Sequence, residues 1–161
     1  MNALLIGSIA LAVIVIIALA ATNPMMKKRE DAAIKAVKDK LGKDNIKVIE
    51  PRTTAMGTDP EEAGGLRGMT CLAVTDAELL AVTWSGLKQW SVARTSIVSV
   101  GSGADDPAAV QKGTITVTFT HDGEEATAMF RLREPVPWLI ELGYDWGPDG
   151  PPELESDESD D

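Results

Sequence analysis

The longest apolar stretch of the chain lies at its beginning. Residues 3–21 read ALLIGSIALAVIVIIALAA and contain no charged residue. At about 1.5 Å per residue, a helix of this length reaches roughly 30 Å, which matches the hydrocarbon core of a bilayer. A helix buried in a globular domain is normally shorter and has a polar face. The pattern therefore predicts one transmembrane helix within residues 1–23.

A cleaved signal peptide is the alternative for this segment. Signal peptides begin with basic residues and have an apolar region of about 7–15 residues, whereas the first two residues here are uncharged and the apolar run is longer. Cleavage near Ala21 would release a secreted or surface domain. However, Lys27, Lys28 and Arg29 follow directly, and basic residues beside a span favour the cytoplasmic side. We expect an uncleaved single-pass anchor in the cell membrane, with its N-terminus outside and the C-terminal domain in the cytoplasm.

Residues 24–43 have the pattern of a short basic amphipathic helix beside the membrane. Ala33, Ile34, Val37 and Leu41 recur at helical spacing between Glu30 and Leu41, while lysines occupy the other faces. Such a helix either packs on the domain that follows or lies on the lipid headgroups. Its apolar face has no aromatic residue, so partitioning into a membrane would be weak.

From Ile46 onward the hydrophobic period changes from helical spacing to two, which is typical of β-strands. The predicted strands are residues 46–49, 69–74, 79–84, 89–93, 97–100, 114–120 and 126–132. An irregular segment is expected from Pro51 to Gly65, with one helical turn near Glu61. A closing helix is predicted over 135–142, ended by Gly143. Residues 44–144 are thus predicted to form one mainly β (α+β) domain, for which a small barrel and a sandwich both fit the alternation.

The last segment, residues 145–161, has the composition of an acidic tail. It contains eight acidic residues, no basic residue and three prolines. A segment of this kind buries too little apolar surface to offset the entropy of ordering it. We therefore expect it to be disordered.

Charge is distributed unevenly along the chain. The net charge is −10, but residues 27–52 hold nine basic and five acidic residues, while residues 53–161 hold six basic and twenty acidic ones. The basic part adjoins the predicted span, where Lys and Arg are attracted to anionic lipid. The acidic part would be repelled by nucleic acid. Nucleic-acid binding is therefore not expected.

The chain offers few residues for catalysis. Its single histidine, His121, falls in a predicted hairpin turn, and its single cysteine, Cys71, falls within a strand without a basic neighbour to lower its pKa. One His and one Cys cannot form a common four-ligand zinc site. We expect no cofactor, no metal and no enzymatic activity.

The strand order and two segments resemble bacterial pleckstrin-homology-like (PH-like) and GRAM-like domains. Residues 68–82, GMTCLAVTDAELLAV, are similar to the part of these domains where a strand ends in Thr-Asp and turns into the next strand. Residues 90–100, WSVARTSIVSV, are similar to their later strand, polar step and Ile-x-x-Val. The resemblance implies a seven-stranded antiparallel barrel closed by the C-terminal helix. The first loop, residues 51–68, lacks the basic cluster with which phosphoinositide-binding members hold their ligand.

These observations predict a membrane-anchored PH-like adaptor or scaffold for a protein partner at the cytoplasmic face. Trp90, Arg94 and Trp146 are the candidate partner contacts. An alternative is a module that binds anionic lipid through Lys27, Lys28 and Arg29, helped by neighbouring lysines. A secreted or surface β domain is the other alternative.

Overall fold

The computed structural model describes residues 24–102 and 113–150, which form seven strands and two α-helices. The elements are α1 (residues 24–41), β1 (Val48–Asp59), β2 (Arg67–Val74), β3 (Glu78–Thr83), β4 (Gln89–Ala93), β5 (Ile97–Ser102), β6 (Thr114–His121), β7 (Glu124–Arg131) and α2 (Pro135–Leu142). The predicted span, residues 3–21, lies outside the described residues. No helix in the described part of the chain is both long and apolar enough to cross a membrane.

All seven strands belong to one antiparallel sheet with the order β4-β3-β2-β1-β7-β6-β5. Strands β1–β4 and strands β5–β7 each follow one another as neighbours, and the two runs are joined where β1 pairs with β7. The prediction of a mainly β domain with a C-terminal helix is therefore confirmed. Each predicted strand other than the first lies within about two residues of an observed one.

Strand β1 is much longer than the sequence pattern indicated. Residues from Pro51 to Asp59, which were predicted to be irregular, continue the strand. Its pairing shifts between Glu50 and Thr53, so the missing N–H of Pro51 falls at an interruption of the ladder. A second shift lies at Gly57, whose φ of 106° favours glycine. These two bulges interrupt the alternation of buried and exposed residues along β1. They also bend the strand, so that it pairs with β2 and, towards its end, with β7.

The main core lies on the inner face of the sheet beneath α2. Leu72, Leu79, Val117 and Trp138 are buried there with the other alternating apolar residues of the strands. Helix α2 begins with a proline in its first turn and presents Trp138, Leu139 and Leu142 to this core, as the sequence predicted. Burying this face removes a large apolar area from water, which stabilises the packing of α2 on the sheet.

Helix α1 covers the outer face of β2 and β3. Its Ala33, Val37 and Leu41 are buried against a second apolar cluster that includes Cys71 and Leu80 of the sheet. Of the two arrangements open for this helix, packing on the domain is confirmed. Helix α1 also starts earlier than the expected Glu30, because residues 24–29 are helical as well. It shares a core with residues 44–144 and is part of the same folded unit.

Two ion pairs fix the direction of α1 along the sheet. Near its N-terminal end, Glu30 accepts hydrogen bonds from the Arg52 guanidinium at 3.0–3.2 Å. Near its C-terminal end, Lys40 Nζ lies 3.8 Å from Glu78 Oε2. Residue 30 thus lies at the level of Arg52 on β1, and residue 40 lies at the start of β3.

The prediction placed the start of the disordered tail too early, at residue 145. Gly147–Asp149 form a 3₁₀ turn, and Trp146 packs partly against the main core. The Trp146 ring buries apolar surface against the core, which the composition of residues 145–150 did not predict. Residues 151–161, which hold most of the acidic residues of the tail, lie outside the described residues.

We predict that Val37→Ala lowers the free energy of unfolding by about 2 kcal/mol, because it leaves a cavity between α1 and the sheet. Urea unfolding of the full chain, followed by tryptophan fluorescence, measures this change. Val98→Ala is the matched control, since Val98 is 55% exposed. Equal stability of the two variants would show that α1 does not pack on the sheet.

Candidate functional site

The basic residues predicted to flank the membrane anchor lie in the first turns of α1 as described. Lys27, Lys28 and Arg29 are all exposed. The carboxylate of the next residue, Glu30, is paired with Arg52. The hydrogen bonds to Glu30 and its negative charge raise the pKa of the Arg52 guanidinium above its ordinary value. The three basic side chains form no ion pair within the described residues and remain directed to solvent.

Trp90 is a core residue and not a surface contact. Its ring is 7% exposed and packs against Phe119 and Phe130 at centroid distances of 5.5 and 5.7 Å. Its indole N–H donates a hydrogen bond of 3.3 Å to the Ala63 carbonyl oxygen. The prediction that Trp90 contacts a partner is therefore corrected. Exposed and buried residues alternate along β4, and Trp90 lies with Val92 on the buried side of the strand.

Arg94 joins the corner between β4 and β5 to α2. Its guanidinium Nη2 donates to the Glu141 carbonyl oxygen at 2.7 Å, and Nη1 lies 4.0 Å from Glu141 Oε1. The backbone N–H of Arg94 donates to the Ala77 carbonyl at 2.8 Å. The last carbonyls of a helix lack partners within it, and positive charge is favourable there. Arg94 is thus engaged within the domain and positions the C-terminal end of α2.

Trp146 lies close in sequence to that end of α2 and keeps part of its surface exposed. Its ring contacts Tyr144 edge-on at a centroid distance of 4.8 Å. Both rings pack against the border of the main core. Of the three predicted partner contacts, Trp146 is the one whose aromatic surface remains accessible.

Apolar residues of β5, of α2 and of the segment after α2 remain accessible, and we name this set the β5–α2 surface. It comprises Val98 of β5, Val136 and Ile140 of α2, and Trp146. Val98 is 55% and Ile140 is 43% exposed, while Val136 and Trp146 are half-buried. Helix α2 lies against β5, and no described strand pairs with the outer edge of β5. The surface therefore combines accessible side chains with a strand at the end of the sheet, the position to which extended peptides add.

A polar cleft of about 520 Å³ opens at the other end of the sheet. It lies between the β1–β2 connection and the β3–β4 turn, and its lining includes Thr58, Glu61, Arg67, Thr83 and Lys88. The guanidinium of Arg67 is held by Glu61 at 2.8 Å. A cation neutralised in this way leaves little positive potential for a polyphosphate. Sequence reasoning missed the cleft, because it treated most of β1 as an irregular loop.

The remaining reactive side chains have no catalytic arrangement in the described part of the chain. Cys71 is fully buried beneath α1, and burial raises the pKa of its thiol to about 12. His121 ends β6 with its ring exposed, 3.6 Å from the carboxylate of Asp122. No group of three or more potential metal ligands is clustered within residues 24–102 and 113–150.

The thiol of Cys71 predicts a specific dependence of stability on alkaline pH. Its pKa rises from an ordinary value of 9.0 to about 12 in the folded chain, so the unfolded chain loses this proton first as the pH increases. The stabilisation is complete below pH 9 and is lost as the pH rises towards 12. Between pH 8 and pH 10.5, we expect the wild type to lose about 1–2 kcal/mol more unfolding free energy than Cys71→Ala. Parallel urea curves at both pH values test this, and an equal loss would contradict it.

For Arg94→Ala we expect a loss of about 1–2 kcal/mol of unfolding free energy, because a helix-end carbonyl loses its charged donor. Arg131→Ala is the control, since Arg131 is exposed on β7. Hydrogen exchange should show faster exchange of the α2 amides in Arg94→Ala only. Unchanged α2 exchange would exclude a positioning role for Arg94.

The chain has no match among known family models, curated proteins or solved structures. Similarity therefore assigns no function to either the β5–α2 surface or the cleft. What each can do follows from its own residues.

Proposed function

We propose that this chain is a non-enzymatic, membrane-anchored PH-like module that acts as an adaptor for a protein partner at the cytoplasmic face. The resemblance to PH-like domains is supported by the strand order, in which two antiparallel runs meet at β1 and β7, and by α2 closing the inner face. The anchor is the apolar segment 3–21, and the basic residues after it favour the cytoplasmic side.

The observation that carries the adaptor function is the position of β5 at the end of the sheet, beside α2. Val98 exposes 55% of its surface on a strand whose outer edge pairs with no other described strand. Such an edge invites strand addition unless it is covered. Ile140, exposed on α2, supplies an apolar contact for a side chain of the added strand. The partner we propose is an extended peptide segment with alternating apolar residues.

Binding of anionic lipid is the second candidate. Lys27, Lys28 and Arg29 are exposed and unpaired within the described residues, and each basic residue near an anionic surface contributes up to about 1 kcal/mol. The other lysines of α1 add less, because Lys35 is paired with Asp39 at 3.2 Å and Lys40 is paired with Glu78.

The adaptor function is tested by partner capture with matched surface variants. The full chain, tagged after Asp161, is cross-linked in its native cells and isolated from the membrane fraction. We expect one protein to be recovered with wild type and with Met129→Asp, and to be lost with Val98→Asp and Ile140→Asp. Met129 is the control because it is 38% exposed on β7, which β6 separates from β5. Loss with all three variants, or with none, would contradict binding at this surface.

The tag also tests the compartment. In sealed cells the tag after Asp161 should resist external protease and become accessible only after lysis. A mature chain whose N-terminus begins near residue 22, with the tag outside, would instead show a secreted or surface protein.

A further inference from the structure

One end of the sheet collects the N-terminal end of α1, the β3–β4 turn and the β1–β2 connection. In the register of the sheet, Thr53 of β1 lies opposite Thr70 of β2, which lies opposite Thr83 of β3. Arg52, adjacent to Thr53, holds Glu30. Residue 30 of α1 is therefore at the level where β3 ends, and the helix points towards the β3–β4 turn.

Residues 24–29 of α1 extend beyond that level. Six residues of helix add about 9 Å, so Met25, Met26 and the basic residues project past the end of β3. Met25 and Met26 are 58% and 49% exposed. Pro24 lies three residues after Ala21, the end of the apolar segment, and three residues of chain reach at most about 11 Å.

The β3–β4 turn at the same end carries an exposed leucine. Leu87 is 42% exposed and has a φ of 54°, a conformation that few residues with a side chain adopt. The base of the turn is rigid, because the Lys88 N–H donates to Thr83 Oγ1 at 2.9 Å and the Thr83 N–H donates to the Lys88 carbonyl at 2.8 Å. A strained, outward-pointing leucine on a rigid turn suggests a functional contact.

Charge at this end is mixed and does not oppose a lipid surface. Besides the paired Arg52 and Arg67, the basic residues are Lys27, Lys28, Arg29 and Lys88. Of the acidic residues, Glu30 is held by Arg52 and Glu61 by Arg67, while Asp31, Asp59 and Glu62 are exposed. Attraction by charge alone would be weak, so the contact depends on apolar insertion and on tethering. A tether greatly raises the effective concentration of a weakly binding surface.

We infer that Leu87 and the N-terminal end of α1 form one bilayer-facing surface, with the Leu87 side chain inserted at the headgroup boundary of the membrane that holds residues 3–21. The inference rests on the anchor of the proposed function. It also sets the orientation of the domain: the β2–β3 turn, Arg94 and the C-terminal end of α2 lie at the opposite end of the sheet, because Glu78 pairs with Ala93 and Arg94 binds Glu141. The β5–α2 surface is thereby accessible from the cytoplasm.

Site-directed fluorescence in vesicles tests this orientation. The full chain carrying Leu87→Cys is labelled with an environment-sensitive fluorophore and reconstituted with phosphatidylcholine and phosphatidylglycerol. Ala77→Cys is the matched control, since Ala77 is exposed in the β2–β3 turn at the opposite end. Cys71 stays in place because it is buried. Lys88→Cys is the second labelling position if Leu87→Cys fails to fold.

We expect a blue-shifted emission at position 87 and quenching by a headgroup nitroxide at least twofold stronger than at position 77. Equal quenching at both positions, or stronger quenching at 77, would overturn the inference. Flotation of the same vesicles after alkaline washing tests the anchor separately. A chain that is washed off overturns the anchor and this inference together, whereas a retained chain without quenching at 87 overturns the orientation alone.

Discussion

The β2–β3 hairpin is buried on both of its faces, and this requirement organises the rest of the domain. Its inward residues, such as Leu72 and Leu79, belong to the main core that α2 completes, and its outward residues, such as Cys71 and Leu80, belong to the cluster that α1 completes. A hairpin that is apolar on both sides cannot leave either side in water without losing the stabilisation that burial provides. Both helices are therefore needed to complete the fold, although they lie at opposite ends of the described chain.

The same requirement connects the two ends of the sheet that carry the proposed surfaces. Because α1 is packed on β2 and β3 and held by the Glu30–Arg52 pair, its N-terminal end has a defined direction relative to the β3–β4 turn. Because Arg94 holds the end of α2, the β5–α2 surface has a defined position at the other end. The core therefore fixes the position of the proposed bilayer-facing surface relative to the proposed partner surface.

The sequence predicted the fold well wherever one period dominated. Residues 114–120 alternate strictly and form β6, and helix α2 has the predicted bounds because a proline starts it and Gly143, with φ of 79°, ends it. The pattern failed at β1, where Pro51 and two bulges interrupt the alternation, and at residues 145–150, where a single tryptophan outweighs polar neighbours. Site prediction was weaker: Trp90 shares the apolar face of β4 with Val92, which indicates a core position, yet it was predicted to be a partner contact. The cleft and the β5–α2 surface depend on contacts between residues far apart in sequence, which no local pattern contains.

The length of α1 has a consequence for partner selection. Eighteen helical residues span about 27 Å, and the helix is packed along the sheet over its C-terminal two-thirds. With the proposed anchor in the membrane, α1 would hold the β5–α2 surface at a set height above the bilayer. Partners would be chosen by reach as well as by sequence, since a peptide linked to a neighbouring membrane protein must be long enough to cover that height. Inserting or deleting residues between Pro24 and Glu30 would alter this height by about 1.5 Å per residue.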